Sequence, residues 1–320
     1  MVNHDKKRYP REYQKYLLAL LTAFFLTACY HTLDRVYVDA SDEAGSPCRV
    51  IQHILGKSCV PVNPQRVVAL DLLDNVLALG VKPVGATVDD GRFRTLLPME
   101  KSTNIKSVGD LVQPNLESIL QLQPDLILDV YWGQSHHQLS QIAPIVSAGN
   151  GETIDWKAWL KTYGEALGKQ QEADALIADY HKRITSFQQK IGKRLSQTQV
   201  SVVVAWDNYR IYMKRSFSGQ ILSDIGLPRP PLQDRERVNE NLSLELIPKM
   251  AGDVIFVAIG GNNPSSVEKL LSHPLWLQLK AVKEGRVYLV DAKAWLAGYG
   301  PVGANVVLDD LFKYLIDEWN

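Results

Sequence analysis

Arginine and aromatic side chains recur just after the predicted strands of this 320-residue chain. Guanidinium groups pair with carboxylate and other anionic oxygens, while indole and phenol rings cover the apolar parts of a small molecule. Because doubly wound sheets bind ligands at the carboxyl ends of their strands, these positions are candidates for a ligand site. The alternative for each is an ordinary surface or core residue. The candidate ligand-binding residues are Arg92, Arg94, Tyr131, Trp132, Trp206, Arg210, Arg215, Trp295 and Tyr299.

The sequence lacks the usual signatures of catalysis. It has no nucleophile elbow, and Gly260-Gly261 follows a strand without the other glycines of a phosphate-binding fingerprint. His136 and His137 are the only adjacent histidines, whereas zinc or manganese capture needs three or four convergent ligands. We therefore expect no catalytic residues, no metal site and no enzymatic activity.

A repeated motif links the two halves of the chain. Glu117 begins a predicted short helix and, eight residues later, Asp125 begins an apolar strand; Glu245 and Asp253 repeat this order and spacing. Many helices carry a carboxylate in the first turn only because it complements the helix dipole. The equal spacing to a following strand instead indicates two related lobes with equivalent carboxylates.

The elements that must position these residues alternate between strands and helices, which predicts an α/β protein with parallel, covered sheets. Between the two halves, apolar residues spaced by three and four continue from Gly168 to Leu195. No Gly or Pro interrupts this pattern between Lys169 and Ile191, so the helix would span roughly 40 Å. The predicted fold is therefore two Rossmann-like lobes joined by a single long α-helix.

These patterns also set the predicted boundaries. The N-terminal lobe covers 61–154, a helical segment that includes the interlobe helix covers 155–197, and the C-terminal lobe covers 198–320. We further predict that Arg210 to Lys214 return as a hairpin strand and that Asp291 to Tyr299 form a loop.

Composition excludes several classes of protein. The 46% apolar and 22% charged fractions are those of a soluble globular protein rather than a disordered one. A net charge of zero, with no basic block in the body of the chain, argues against a nucleic-acid partner. Basic residues cluster instead before the apolar run from Leu17 to Leu26, which is typical of an export signal and too short to span a bilayer.

The apolar run ends in Leu26-Thr27-Ala28-Cys29, which resembles a bacterial lipobox, where the cysteine is lipidated and becomes the mature N-terminus. The alternative is an ordinary cleaved signal with a coincidental cysteine. In the first interpretation, residues 1–28 are a lipoprotein signal peptide and 29–60 are a tether and disulfide loop. The mature chain then has 30 basic and 33 acidic residues, a net charge of −3.

Lipidation of one cysteine leaves Cys48 and Cys59 as an even pair in an oxidising compartment. A metal clip would need more ligands than this segment offers. A disulfide between the two is therefore predicted.

Taken together, these features resemble the substrate-binding lipoproteins of class III ABC importers, in the iron-siderophore branch that binds ferric hydroxamates or ferric citrate. The resemblance covers roughly residues 47–320. It is carried by Asn63-Pro-Gln-Arg-Val-Val-Ala-Leu-Asp71, by Asn115-Leu-Glu117 with Pro124-Asp125, and by Gly300-Pro301 leading into Leu308-Asp309-Asp310-Leu311.

The resemblance implies a periplasmic binding protein of the helical backbone type, with a ferric siderophore as its ligand and no cofactor. It also implies a monomer that is exported, lipid-anchored at the periplasm-facing membrane or cell surface, and served by a dimeric ABC permease on which Glu117 and Glu245 dock. Cobalamin or haem on the same scaffold is the alternative ligand. Arginines in the cleft favour an anionic iron chelate, whereas a nearly all-aromatic cleft would favour cobalamin.

Overall fold

The computed structural model describes residues 47–89, 92–93, 95–131, 136–151, 153–205, 209–260 and 264–318. Within these residues, two main β-sheets form the cores of two α/β lobes, and a long helix lies between the lobes in sequence. The predicted fold class is therefore confirmed.

The described chain begins with an antiparallel hairpin, β1 (Cys48–His53) and β2 (Gly56–Pro61), closed by a disulfide between Cys48 and Cys59. The predicted disulfide is thus confirmed. Ile51 and Val60 are buried in the same core as the first lobe. The Ser58 hydroxyl donates a hydrogen bond to the carbonyl of Ile145, at 2.7 Å. The disulfide loop predicted within 29–60 is therefore a hairpin that packs on the first lobe.

The first lobe is built on a mostly parallel sheet. Its strands are β3 (Val67–Ala69), β4 (Gly85–Asp89), β5 (Arg92–Phe93), β6 (Lys106–Asp110), β7 (Leu126–Asp129) and β8 (Ile145–Ser147). Strand β3 pairs in parallel with β4 and β7, and β7 pairs in parallel with β8. Strand β4 also pairs with β6 in parallel and with the short β5 in antiparallel. Strands β3, β7 and β8 are buried throughout, as expected for a sheet that is covered on both faces, whereas β6 is largely exposed.

The helices of the first lobe are short, and each follows a strand. They are α1 (Leu73–Ala78), a 3₁₀ turn (Met99–Ser102), α2 (Leu116–Gln121) and α3 (His136–Ser140). Asn115 caps α2, since its side-chain oxygen accepts a hydrogen bond from the Ser118 amide at 2.9 Å. This is the standard way to satisfy one of the free N–H groups at a helix start.

Two consecutive helices lead out of the first lobe, α4 (Trp156–Leu167) and α5 (Gln170–Ile191). Between them Gly168 has a φ of 71°, a left-handed conformation that glycine adopts without strain. The buried residues of α5 recur at helical spacing, at Ala173, Tyr180, Ile184 and Phe187, and this confirms the predicted long helix. It ends in a 3₁₀ turn, Gly192–Gln197.

The second lobe has a mixed sheet. Its strands are β9 (Val200–Ala205), β10 (Tyr209–Tyr212), β11 (Asn239–Leu242), β12 (Val254–Ile259) and β13 (Val287–Asp291), in the spatial order β11-β10-β9-β12-β13. Strands β9, β12 and β13 are parallel, whereas β10 is antiparallel to both of its neighbours. The hairpin partner predicted at Arg210 is therefore confirmed, and β11 is an additional strand that the sequence pattern did not predict.

The helices of the second lobe cover both faces of this sheet. They are α6 (Phe217–Ile225), a 3₁₀ helix (Leu244–Met250), α7 (Pro264–Leu271), α8 (Pro274–Leu277), α9 (Lys280–Lys283), α10 (Ala292–Ala297) and α11 (Pro301–Phe312), which continues as a π-helical turn (Lys313–Asp317). Helix α10 corrects the loop predicted at 291–299. Its N-terminus is capped by Asp291, whose carboxylate accepts a hydrogen bond from the Lys293 amide at 2.8 Å.

Candidate ligand cleft and docking surface

The two lobes meet where the segment before α11 contacts α1. Asn75 donates a side-chain hydrogen bond to the carbonyl of Tyr299 at 3.1 Å. Gly300 lies so close to the Asn75 amide that an added Cβ would collide with it. The half-buried Tyr299 ring packs edge-on against Trp159 and Phe217, with centroids 5.7 and 5.8 Å away. A glycine followed by a proline at this point therefore allows close approach of the lobes and then starts the last helix.

A cavity of about 380 Å³ lies between the segment just before α4 and the second lobe. It is lined by Thr153, Ile154, Lys214, Arg215, Gln220, Ser223 and Glu236. Two hydrogen bonds cross it: Arg215 Nη2 donates to Thr153 Oγ1 at 2.7 Å, and Gln220 Nε2 donates to the carbonyl of Ile154 at 2.5 Å. Because Lys214 is already paired with Asp234 at 2.9 Å, Arg215 is the better placed of the two cations to meet an anion.

The structure describes three other predicted ligand residues. Tyr131 follows β7, is half-buried, and packs edge-on against His136 with centroids 6.5 Å apart. Arg210 lies on β10, where its Nε donates to Asn241 at 2.9 Å. Tyr299 lies at the junction of the lobes. These residues come from both lobes, as an interlobe cleft requires.

Trp295 is placed differently from the prediction. It lies on α10 with its side chain fully buried, stacked on Phe256 at 4.5 Å, and its indole N–H donates to Asp310 at 2.8 Å. Trp295 is therefore a core residue of the second lobe. The prediction failed because the segment was taken to be a loop, in which an aromatic side chain would be available to a ligand.

For the other four predicted ligand residues, the structure describes at most the backbone. Arg94, Trp132 and Trp206 lie outside the described residues. The backbone of Arg92 is described and forms β5, where it pairs with Asp89 of β4.

A buried carboxyl group in the first lobe was missed by the sequence analysis. Asp129, at the end of β7, is fully buried, and neither of its oxygens has a hydrogen-bond partner among the described residues. Burial, with a smaller contribution from the charge of Asp71, raises the pKa of Asp129 to about 7. The Ser147 hydroxyl, which lies close by but outside hydrogen-bonding geometry, partly offsets this rise. The signal was an acidic residue inside the apolar run Leu126 to Val130.

The two repeated glutamates are both exposed. Glu117 is in the first turn of α2, and Glu245 is in the first turn of the 3₁₀ helix Leu244–Met250. The Ser243 hydroxyl lowers the pKa of Glu245 by a hydrogen bond, and His273 nearby acts in the same direction. Both carboxylates are thus available to a cationic partner.

The described residues contain neither a metal-binding cluster nor a membrane-spanning helix. No group of three or more His, Cys, Asp or Glu residues is arranged to hold a metal ion there. In the same part of the chain, no helix is both long and apolar enough to cross a membrane.

Comparison with known proteins connects this architecture to a family. The family model described as periplasmic binding protein matches residues 66–294, which include parts of both lobes and the helix between them. The chain belongs to the periplasmic binding protein family.

Individual relatives in this family support the assignment along nearly the whole chain. The chain is 33% identical to the probable siderophore-binding lipoprotein YfiY of Bacillus subtilis, over 93% of this chain and 96% of the relative. It is 31% identical to the achromobactin-binding periplasmic protein of Dickeya dadantii, over 78% and 86%. Among solved structures, SirA of Staphylococcus aureus complexed with staphyloferrin B is similar, with a TM-score of 0.75, 32% identity, and coverage of 83% of this chain and 98% of SirA.

Proposed function

We propose that this protein is the substrate-binding component of an ABC importer, capturing a ferric siderophore and delivering it to a membrane permease for iron uptake. The observation that carries the proposal is the match to proteins named for siderophore binding over more than nine-tenths of the chain, with SirA similar in fold as well. The ligand is then cargo rather than a cofactor, and the protein has no catalytic role.

The proposed ligand site lies between the lobes and uses arginines against the anionic oxygens of the chelate. Among the described residues, the Arg215 guanidinium donates a hydrogen bond to Thr153 Oγ1, and its planar group of five N–H donors can bind further anionic oxygens. Aromatic side chains would cover the organic part of the chelate. The residues we assign to this site are Arg92, Arg94, Tyr131, Trp132, Trp206, Arg210, Arg215 and Tyr299; buried Trp295 is left out.

Titration of tryptophan fluorescence with ferric hydroxamate, ferric citrate, cobalamin and haem tests this proposal. We expect ferric chelates to quench the fluorescence saturably and cobalamin and haem to bind much more weakly. Arg92→Ala with Arg94→Ala should weaken ferric-siderophore binding at least roughly thirtyfold, about 2 kcal/mol, because a lost buried ionic contact is costly. Lys182→Ala, on the exposed face of α5, is the matched control. Cobalamin or haem binding more tightly than any ferric chelate would contradict the proposal.

The protein would reach its permease as a lipid-anchored monomer at the cell envelope. Cys29 is the proposed lipidation site, and Cys29→Ala should release the protein from the membrane fraction. Glu117 and Glu245 would pair with cations on the two permease subunits. Replacing both with alanine should abolish iron-chelate uptake while binding in solution stays normal; uptake at the wild-type rate would show that docking uses other residues.

A further inference from the structure

Exposed aliphatic side chains are unevenly distributed over the described surface. Within the described ranges, eight large aliphatic side chains are at least 36% exposed. Two of them, Leu120 and Leu246, are on the elements that carry the repeated glutamates. Val112 is in the turn that leads into α2, and Leu277 is on α8, which packs against the 3₁₀ helix Leu244–Met250. The others are Val50, Ile54 and Val62 at the β1–β2 hairpin and Leu289 on the edge strand β13.

On the first lobe, the turn that leads into the helix of Glu117 carries one of these side chains. Val112 is 82% exposed at the tip of the turn between β6 and α2. That turn is held by Asp110, whose carboxylate accepts a hydrogen bond from the Gln113 amide at 2.7 Å. Leu120 is 59% exposed and lies three residues after Glu117, so both side chains are on one face of α2.

On the second lobe, the same combination is built from different elements. Leu246 follows Glu245 directly in the 3₁₀ helix, and α8 packs beside that helix. Trp276 of α8 is buried in the core that also contains Ile247, which fixes the two elements together. The next residue, Leu277, is 53% exposed. Each lobe therefore presents a carboxylate with two exposed aliphatic side chains on firmly packed elements.

We propose that these four side chains are apolar anchors for docking on the permease, with Val112 and Leu120 on one subunit and Leu246 and Leu277 on the other. This inference rests on the proposed function, and it adds a second kind of contact to the charged one. Two faces of like composition, each negative and apolar, fit a partner with two like surfaces that are each cationic and apolar. The carboxylates set the orientation and rate of encounter, while burial of the aliphatic side chains slows dissociation.

Kinetics of docking on the permease in lipid nanodiscs can separate these two contributions. We expect Val112→Ser with Leu277→Ser to raise the dissociation rate at least about tenfold, with little change in association rate. Glu117→Ala with Glu245→Ala should mainly lower the association rate. Leu289→Ser is the matched control, since Leu289 is 46% exposed in the same lobe as Leu277 but lies on β13. Fluorescence titration with the ferric siderophore should give the wild-type affinity for every variant.

The possible results are distinguishable. A wild-type dissociation rate for the double serine variant, with docking lost in the double alanine variant, would overturn the apolar anchors and leave the proposed function intact. Normal docking by both double variants would contradict the docking surface itself. An equal effect of Leu289→Ser would also overturn the inference, because any loss of surface aliphatic area would then have the same consequence.

Discussion

In both lobes, an aspartate at the start of one central strand is hydrogen-bonded to the backbone at the start of the neighbouring strand. In the first lobe, the Asp125 carboxylate accepts hydrogen bonds from the backbone amides of Gln65 and Arg66, at 2.7 and 2.9 Å, just before β3 begins. In the second, the Asp253 carboxylate accepts one from the Gln199 amide at 3.0 Å, just before β9 begins. The aspartate of each repeat therefore joins the strand it starts to the strand beside it.

The strands that begin at these aspartates differ between the lobes at their far ends. Four residues further along, the first lobe has the buried Asp129 and the second lobe has the buried Val257. The glutamate before them lies in an α-helix in the first lobe and in a 3₁₀ helix in the second. The comparison shows that the repeat preserves the framework of paired strands, whereas the residues at the strand ends and the covering helices are free to diverge.

The largest effect that tests this comparison should come from Asp129. Its folded-state pKa of about 7 is above the value of about 3.9 in an unfolded chain. Between these values only the unfolded state has lost the proton, so the free energy of unfolding falls as pH rises from about 4 to about 7. The full loss is on the order of 4 kcal/mol. Asp129→Asn should remove this dependence, as measured by urea unfolding at several pH values.

Exchanging residues between the lobes sharpens that test. Asp129→Val copies the second lobe and should be more stable than the wild type above pH 7, whereas Val257→Asp should be less stable there. If the free energy of unfolding of Asp129→Asn fell with rising pH as much as that of the wild type, a buried titrating carboxyl at this position would be ruled out.

The disulfide hairpin is a second difference, because it packs on the first lobe and on α4, where Arg49 donates a hydrogen bond to the carbonyl of Ala166 at 3.1 Å. Closing the short loop between Cys48 and Cys59 should contribute about 3 kcal/mol to the free energy of unfolding. We expect Cys48→Ser with Cys59→Ser to be less stable by about this amount, measured by urea unfolding, and to match the reduced wild type. A double variant as stable as the oxidised wild type would mean that the hairpin contacts alone are sufficient.

The shared aspartates should have effects of intermediate and similar size. Asp125→Ala and Asp253→Ala each remove hydrogen bonds between a carboxylate and exposed backbone amides, and hydrogen bonds to charged groups typically contribute about 1.5–3 kcal/mol. Denaturant unfolding of both single variants measures this, and the corresponding asparagine variants, which keep one oxygen acceptor, should lose less. A loss confined to one lobe would break the equivalence of the two repeats.

The smallest effect should separate the two helix starts. Asn115 accepts a backbone hydrogen bond at the start of α2, so Asn115→Ala should cost about 1 kcal/mol. Ser243, its counterpart, makes no capping hydrogen bond to the backbone and bonds to Glu245 instead. Thermal unfolding of Ser243→Ala should therefore show a smaller loss, and equal losses would contradict this distinction.

Local sequence patterns predicted much of the framework. The spacing of apolar residues predicted α5, the buried apolar runs predicted the parallel strands, and Asn115 was identified as a cap. These predictions succeeded because helix and strand periodicities are set by residues close together in the chain. The same local approach missed α10, where Trp295 and a nearby glycine were interpreted as a loop, and the extra strand β11, whose polar residues show no apolar alternation.

The sequence by itself therefore determined the two-lobed α/β architecture, the long connecting helix, the repeat that relates the lobes, and the pairing of Cys48 with Cys59. Only the tertiary structure decided that the hairpin packs on the first lobe, that Asp129 is buried without a hydrogen-bond partner among the described residues, and that Trp295 lies in the core. It also brought Arg215 to Thr153, 62 residues earlier in the chain. These features depend on which distant segments come into contact, and neither residue type nor spacing along the chain specifies that contact.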